Sequence, residues 1–143
     1  MSSIITFFVA PDHATAAGVA KGGPGRDLQV AEYGNFAVWA AIEEWESILL
    51  DRDLEEIIAT GGADVLTGGE DEPIVLFLPP ALTQALASAG DDVLGSTATR
   101  WVALRADDGD VIDEELARAM LNDLATLATA AEDSKGGLYV WIS

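Results

Sequence analysis

The sequence contains no cysteine, one histidine and few basic residues, and each shortage removes a class of function. Without cysteine, the chain has no disulfide, no thiolate metal site and no cysteine nucleophile. Its 7 lysine and arginine residues stand against 25 aspartate and glutamate residues, which gives a net charge of −18. Because nucleic acids and anionic membranes are recognised through positive charge, neither is expected as a partner.

Long apolar runs are also missing. The apolar run at residues 4–10 is shorter than that of a secretory signal, and no basic segment precedes it. No run approaches the roughly 20 apolar residues of a transmembrane helix. These features predict a cytoplasmic protein. The length of 143 residues predicts one domain over residues 1–143, with a core large enough to fold without disulfides.

An amphipathic helix at residues 35–50 is the clearest element of the chain. Apolar residues recur there at helical spacing and predict one buried face, formed by Val38, Ala41, Ile42, Trp45, Ile48 and Leu49. Asn35 is placed to cap the first turn. A short helix at residues 54–59 follows, with Asp51 or Asp53 as its cap.

Three apolar runs predict buried strands, at residues 4–10, 73–78 and 138–142. Three further helices are predicted, at residues 11–20, 80–89 and 111–131. On the last of these, the residues expected to face the core are Leu116, Met120, Leu124, Leu127 and Ala131. Glycine and acidic residues dominate the stretch 61–72, which predicts an exposed loop.

Two segments leave alternatives open. Residues 28–33 fit either a short strand or the entry to the 35–50 helix. In the segment 91–106, Ser96 can cap a helix that ends at Ala106, whereas Thr97, Thr99, Trp101 and Ala103 alternate as on a strand. We favour the helix for this second segment.

Together these elements predict an α+β fold. A terminal strand stays ordered only when it pairs, so the N- and C-terminal strands are expected to pair at the centre of a small sheet. The 73–78 strand is expected nearby, with the several helices packed on one face of the sheet.

No complete catalytic constellation is visible, so no catalytic residue is assigned. His13 follows Asp12 directly, and adjacent side chains diverge on a helix, so His13 is predicted to be a surface residue and not a general base. The segment 21–26, KGGPGR, lacks the spacing of a phosphate-binding loop. Glu43, Glu44 and Glu46 are expected on a hydrated helix face, not as paired carboxylates across a sugar-binding cleft.

The densest group of carboxylates, at residues 107–115, does not predict a metal site. When Gly109 is taken as the glycine of a calcium-binding loop, Asp108 and Glu115 fit the pattern. Leu104 and Ala106 then stand where acidic ligands are required. Helix capping and the positive end of the helix dipole account for the same carboxylates. No metal or cofactor is therefore expected.

The order of elements resembles a known bacterial family. A strand within MSSIITFFVAP leads into a helix, followed by the helix AVWAAIEEW, the helix LPPALTQALAS and a long last helix that turns into GGLYVWIS. This arrangement is similar to that of the small acidic YfbM-like proteins, a family of unknown function. The present chain is shorter, particularly between the second and third of these helices. The resemblance implies an α+β fold and a bacterial cytoplasmic origin, and it implies no catalytic residues.

Two hypotheses for function follow. The first is a non-enzymatic protein whose acidic surface binds a basic protein, as an immunity protein or inhibitor does. Its candidate binding residues are Tyr33, Trp39, Glu43, Glu46 and Asp51. The second is an enzyme that binds a small molecule or a metal, in a pocket with His13 or Tyr33 and a desolvated carboxylate such as Glu32.

Overall fold

The two ends of the described chain meet in the middle of one antiparallel sheet. The computed structural model describes residues 4–19, 28–33, 38–60, 63–67 and 73–142. Five strands run antiparallel to their neighbours: β1 (Ile5–Ala10), β2 (Val30–Tyr33), β3 (Asp64–Thr67), β4 (Ile74–Phe77) and β5 (Gly137–Ile142). Their order is β2-β1-β5-β4-β3, so the predicted pairing of the terminal strands is confirmed.

The β1–β5 pair is buried on both faces. It runs through six residue pairs, from Ile5 opposite Ile142 to Ala10 opposite Gly137. All six residues of β1 are buried, which explains why its sequence is apolar without alternation. Side chains of β1 therefore divide between two hydrophobic clusters, with Phe7 on one face of the sheet and Phe8 on the other.

Six helices surround this sheet in the described part of the chain: α1 (His13–Gly18), α2 (Val38–Leu50), α3 (Leu54–Thr60), α4 (Pro80–Ser88), α5 (Asp91–Asp107) and α6 (Glu114–Asp133). Buried residues of α2, α4, α5 and α6 form the larger cluster with Phe7. α1 packs with Phe8 on the opposite face, through Ala16. The expectation that the helices lie on one face is therefore wrong for α1, and the α+β class is confirmed.

The apolar face predicted for α2 is buried as expected. Trp45 is fully buried and lies edge-on to Trp101 of α5, with 5.1 Å between ring centroids. Its ring also contacts Phe7 of β1, with a centroid separation of 6.1 Å. α2 is thus held against both the sheet and α5. The proposed cap of this helix, Asn35, and the loop 21–26 lie outside the described residues.

Several boundaries differ from the sequence predictions. The predicted loop at residues 61–72 contains β3, which pairs with β4. α5 begins at Asp91, directly after Gly90, and so starts earlier than the Ser96 cap predicts. Asp12, not Pro11, precedes α1, and its carboxylate accepts a hydrogen bond of 2.8 Å from the Thr15 amide. Residues 91–106 are helical, as favoured, and residues 28–33 include a strand.

Leu116 is the one exception on the predicted core face of α6. The residue is 50% exposed, whereas Met120, Leu124, Leu127 and Ala131 are buried. The face turned to the core includes Ala117 and Leu121 in place of Leu116. The core stripe is therefore rotated slightly from the one that the sequence pattern predicts.

This difference gives a matched test of the fold. We expect Leu124→Ala to lower the free energy of unfolding by roughly 2–5 kcal/mol, because it removes buried methyl groups and leaves a cavity. Leu116→Ala, the same change on the same helix, is expected to alter it by about 0.5 kcal/mol or less. Urea unfolding followed by far-UV circular dichroism measures both, and equal losses would contradict the orientation of α6.

Candidate functional site

Three of the candidate binding residues come together on one face of α2. Trp39, Glu43 and Glu46 are spaced by four and three residues, and such positions are neighbours on a helix surface. The Trp39 side chain is 45% exposed, and Glu43 is half-buried. We call Trp39, Glu43 and Glu46 the α2 face. Asp51 is exposed just beyond the end of this helix, with a left-handed backbone (φ 52°).

Glu46 is buried, and the expectation of a hydrated position is wrong. Only 2% of the residue is exposed, and its Oε2 atom has no hydrogen-bond partner among the described residues. Burying a carboxylate oxygen without a hydrogen-bond partner is costly, because the interior does not replace the hydrogen bonds that water makes to it. Burial raises the pKa of Glu43, and the charge of Glu46 raises it further. The α2 face therefore holds two carboxylates that repel each other, beside an exposed indole.

Glu44 is also buried, on another side of the same helix, but it has a cationic partner. Arg105 of α5 brings Nε within 2.9 Å of Glu44 Oε1 as an ion pair, and its Nη2 donates a hydrogen bond of 3.1 Å to Oε2. Burial raises the pKa of Glu44, and interactions with Arg105 and Trp101 partly oppose that rise. This pair was missed by sequence reasoning. The available signal was Arg105 itself, which follows the buried Ala98 and Trp101 at helical spacing.

Arg105 binds further carboxylates from the turn between α5 and α6. Its Nη1 donates to Asp110 Oδ2 at 2.9 Å, and its Nη2 contacts Asp108. Asp113 caps α6 by accepting a hydrogen bond of 3.0 Å from the Glu115 amide. The acidic residues of this turn thus have structural partners. No group of three histidine or acidic side chains suited to a metal ion occurs in the described ranges.

His13 lies on the surface, as predicted, but it has a partner that the sequence did not reveal. A hydrogen bond of 2.9 Å joins His13 Nδ1 to the hydroxyl of Tyr139 on β5. The imidazole also lies edge-on to Phe77 of β4, with 4.7 Å between centroids. Burial raises the pKa of Tyr139, and the nearby charge of Asp12 contributes. These contacts attach α1 to the second face of the sheet.

Tyr33, the remaining candidate, lies in a separate groove between β2 and α6. The groove has a volume of about 440 Å³ and is lined by Gln29, Val30, Ala31, Glu32, Tyr33, Asp123, Thr126 and Leu127. The Tyr33 hydroxyl donates a hydrogen bond of 2.7 Å to Asp123 Oδ2. Burial raises the pKa of Tyr33, and Asp123 raises it further, so the phenol stays protonated. Glu32 lines the groove but is exposed, so it is not the desolvated carboxylate that the second hypothesis requires.

Comparison with family models, with curated proteins and with solved structures gives no match for this chain. The resemblance to YfbM-like proteins therefore stays a prediction. Within the described ranges, none of the helices has both the length and the apolar character needed to cross a membrane.

The buried pair of Glu44 and Arg105 predicts a large loss of stability when one partner is removed. We expect Arg105→Met to lower the free energy of unfolding by roughly 3–5 kcal/mol, because it leaves the Glu44 carboxylate buried without its cation. Arg52→Met removes an exposed pair with Glu56 and is expected to cost at most about 1 kcal/mol. Urea unfolding at pH 7 measures both.

The pH dependence of this loss provides the control. Without Arg105 the pKa of Glu44 rises further, so folded Arg105→Met binds a proton more tightly than its unfolded chain does. Its stability relative to the unmodified protein should therefore improve as pH falls from 7 towards 5. A double variant, Glu44→Leu with Arg105→Met, is expected to recover most of the loss, since it leaves no buried charge. A loss of stability in Arg105→Met that stays constant with pH would contradict the role of Arg105 as the cation that pairs with buried Glu44.

Proposed function

We propose that this protein is a small acidic binding protein of the cytoplasm, whose partner is a basic protein received on the α2 face. One observation carries the proposal, the buried Glu46 carboxylate whose Oε2 has no partner among the described residues. Unsatisfied buried polar groups are rare in folded proteins, and each calls for an explanation. A cation supplied by a partner would compensate the charge of Glu46, which forms no ion pair among the described residues.

The chemistry of the α2 face favours an arginine or lysine side chain as the group received. The exposed indole of Trp39 offers a face for a cation–π contact, worth about 0.5–2 kcal/mol. Glu43 is accessible for a direct hydrogen bond, whereas Glu46 lies beneath and acts through its charge. A guanidinium can stack on an aromatic ring and hydrogen-bond a carboxylate at once, so arginine fits best.

The charge of the whole protein supports a basic partner. A net charge of −18 attracts a basic protein over several ångströms and accelerates encounter, with an effect that salt screens. Exposed carboxylates of Asp51, Asp53 and Glu55 extend the negative surface just beyond α2. A protein that neutralises a basic protein, as an inhibitor or immunity protein does, is the type that we propose. The order of helices and strands supports a relationship to YfbM-like bacterial proteins as part of the same proposal.

Affinity capture from native lysate, at low and at moderate salt, tests this function. We expect a basic protein to be captured in stoichiometric amount at low salt and lost at moderate salt. Trp39→Ala and Glu43→Gln should each weaken its capture by about tenfold, since each removes roughly 1–2 kcal/mol of contact with the cation. Glu132→Gln, which removes an exposed charge near the end of α6, is the matched control and should capture as the unmodified protein does.

Three results would contradict the proposal. They are capture of nothing at either salt, capture of a partner that is not basic, and equal capture by Trp39→Ala and the unmodified protein. Circular dichroism of each variant should match that of the unmodified protein. This check separates loss of the contact from loss of the fold.

The pKa of Glu43 adds a prediction about pH. A bound cation favours the ionised carboxylate, so affinity should fall as pH drops and Glu43 takes up a proton. Because burial and Glu46 raise this pKa, the fall should begin at a higher pH than for an ordinary glutamate. Binding of the captured partner, measured between pH 7 and 5, should show this fall in the unmodified protein and a weaker one in Glu43→Gln. An equal pH dependence of binding in the unmodified protein and in Glu43→Gln would contradict a direct contact between the partner and Glu43.

A further inference from the structure

The strand β2 lies at one edge of the sheet, and its hydrogen bonds to β1 define which residues face outward. The Val9 amide donates to the Gln29 carbonyl at 3.1 Å, in register with the pairs from Phe8–Val30 to Ile5–Tyr33. Hydrogen-bonded pairs alternate with non-bonded pairs in an antiparallel ladder. Ala31 and Tyr33 therefore form backbone hydrogen bonds with β1, as Gln29 does. The backbone N–H and C=O groups of Val30 and Glu32 point outward.

Val30 and Glu32 lie about 7 Å apart along the strand, twice the rise per residue, and each presents one backbone donor and one acceptor. β2 is the last strand in the sheet order, and no described residue pairs with its outer edge. A regular row of backbone donors and acceptors of this kind matches another extended chain.

The groove described above runs along this edge, with α6 as its second wall. Among the described residues, its lining contains two carboxylates, Glu32 of the strand and Asp123 of the helix, and no lysine or arginine. Asp123 accepts the hydrogen bond of Tyr33 and forms no ion pair within the described part of the chain. As far as the described residues go, the groove therefore combines an unpaired strand edge with carboxylates that form no ion pair.

We infer that this groove binds an extended basic segment of a partner protein, which adds to β2 as a sixth strand. Alternate side chains of the added strand would point towards α6, where a lysine or arginine meets Asp123 and its aliphatic part meets Leu127. The side chains between them would lie beside Val30 and Glu32, where opposite charge is favoured across neighbouring strands. This inference concerns a second surface and does not rest on the α2 face.

A second copy of this chain fits the edge poorly. β2 is only four residues long, so two β2 strands in antiparallel contact would place two copies of Glu32 near each other on one short edge, where like charges repel. The net charge of −18 on each copy adds repulsion at long range. Charge complementarity therefore selects a basic segment from another protein.

The test uses a peptide of alternating lysine and valine, five residues long and capped at both ends. It is titrated into ¹⁵N-labelled protein and followed by NMR, with the largest shifts expected at residues 29–33 and at Asp123. Two further peptides carry N-methyl groups, one on the lysine amides and one on the valine amides. An added strand donates to β2 from alternate residues only, so one N-methylated peptide should bind at least about tenfold more weakly than the other.

Variants of Val30 provide the matched pair on the protein side. Val30→Pro removes an outward N–H without breaking a bond to β1, which is the position where an edge strand tolerates proline. It should weaken binding by about tenfold, whereas Val30→Ala, which keeps the N–H, should bind within about threefold of the unmodified protein. Asp123→Asn should also weaken binding and reduce its dependence on salt.

The outcomes distinguish this inference from the proposed function. In Glu43→Gln, the peptide-induced shifts at residues 29–33 should match those of the unmodified protein. A loss of peptide binding in Glu43→Gln with no loss in Val30→Pro would place the peptide on the α2 face and overturn the inference. Equal binding of the two N-methylated peptides would show attraction by charge alone and would overturn the inference of an added strand. Failure of the unmethylated peptide to bind would overturn it as well. Should Val30→Pro fail to fold, the N-methylated peptides decide the question on the unmodified protein.

Discussion

The pairing of β1 with β5 is the constraint on which the rest of the structure depends. Because this pair is central and buried on both faces, each face has to be covered by other parts of the chain. α2, α4, α5 and α6 cover the Phe7 side, and α1 covers the Phe8 side. The edges of the sheet are then left to the two short strands β2 and β3. The position of β2 at an edge of the described sheet is thus a consequence of how the chain ends meet.

The same constraint explains why two carboxylates of α2 are buried. Trp45 contacts both Phe7 of β1 and Trp101 of α5, so its side of the helix faces the interior. Successive residues on a helix turn by about 100°, which places Glu44 and Glu46 on the two flanks of this buried face. Both flanks are covered by neighbouring structure. Glu44 meets Arg105 there, and Glu46 meets no hydrogen-bond donor to its Oε2 in the described residues.

Local sequence pattern was sufficient for most elements of the fold but not for the sites. The spacing of apolar residues distinguishes helices from strands, and it located α2, α4, α6, β1, β4 and β5. It missed β3, because Asp64 to Thr67 have no strong strand pattern and become a strand by pairing with β4. It also placed Glu46 in solvent. Arg105 and Glu44 are 61 residues apart in the sequence, so no local pattern relates them.

Both surfaces proposed for binding share one physical property. Elsewhere, several carboxylates have partners within the chain: Asp12 and Asp113 cap helices, and Arg105 neutralises Glu44. At the α2 face and along the outer edge of β2, by contrast, hydrogen-bond acceptors and negative charges have no partner among the described residues. The chain has 7 basic residues against 25 acidic ones, so few of its carboxylates can be paired with a cation of its own. Under both proposals, a binding partner that brings positive charge would compensate the carboxylates at these two places.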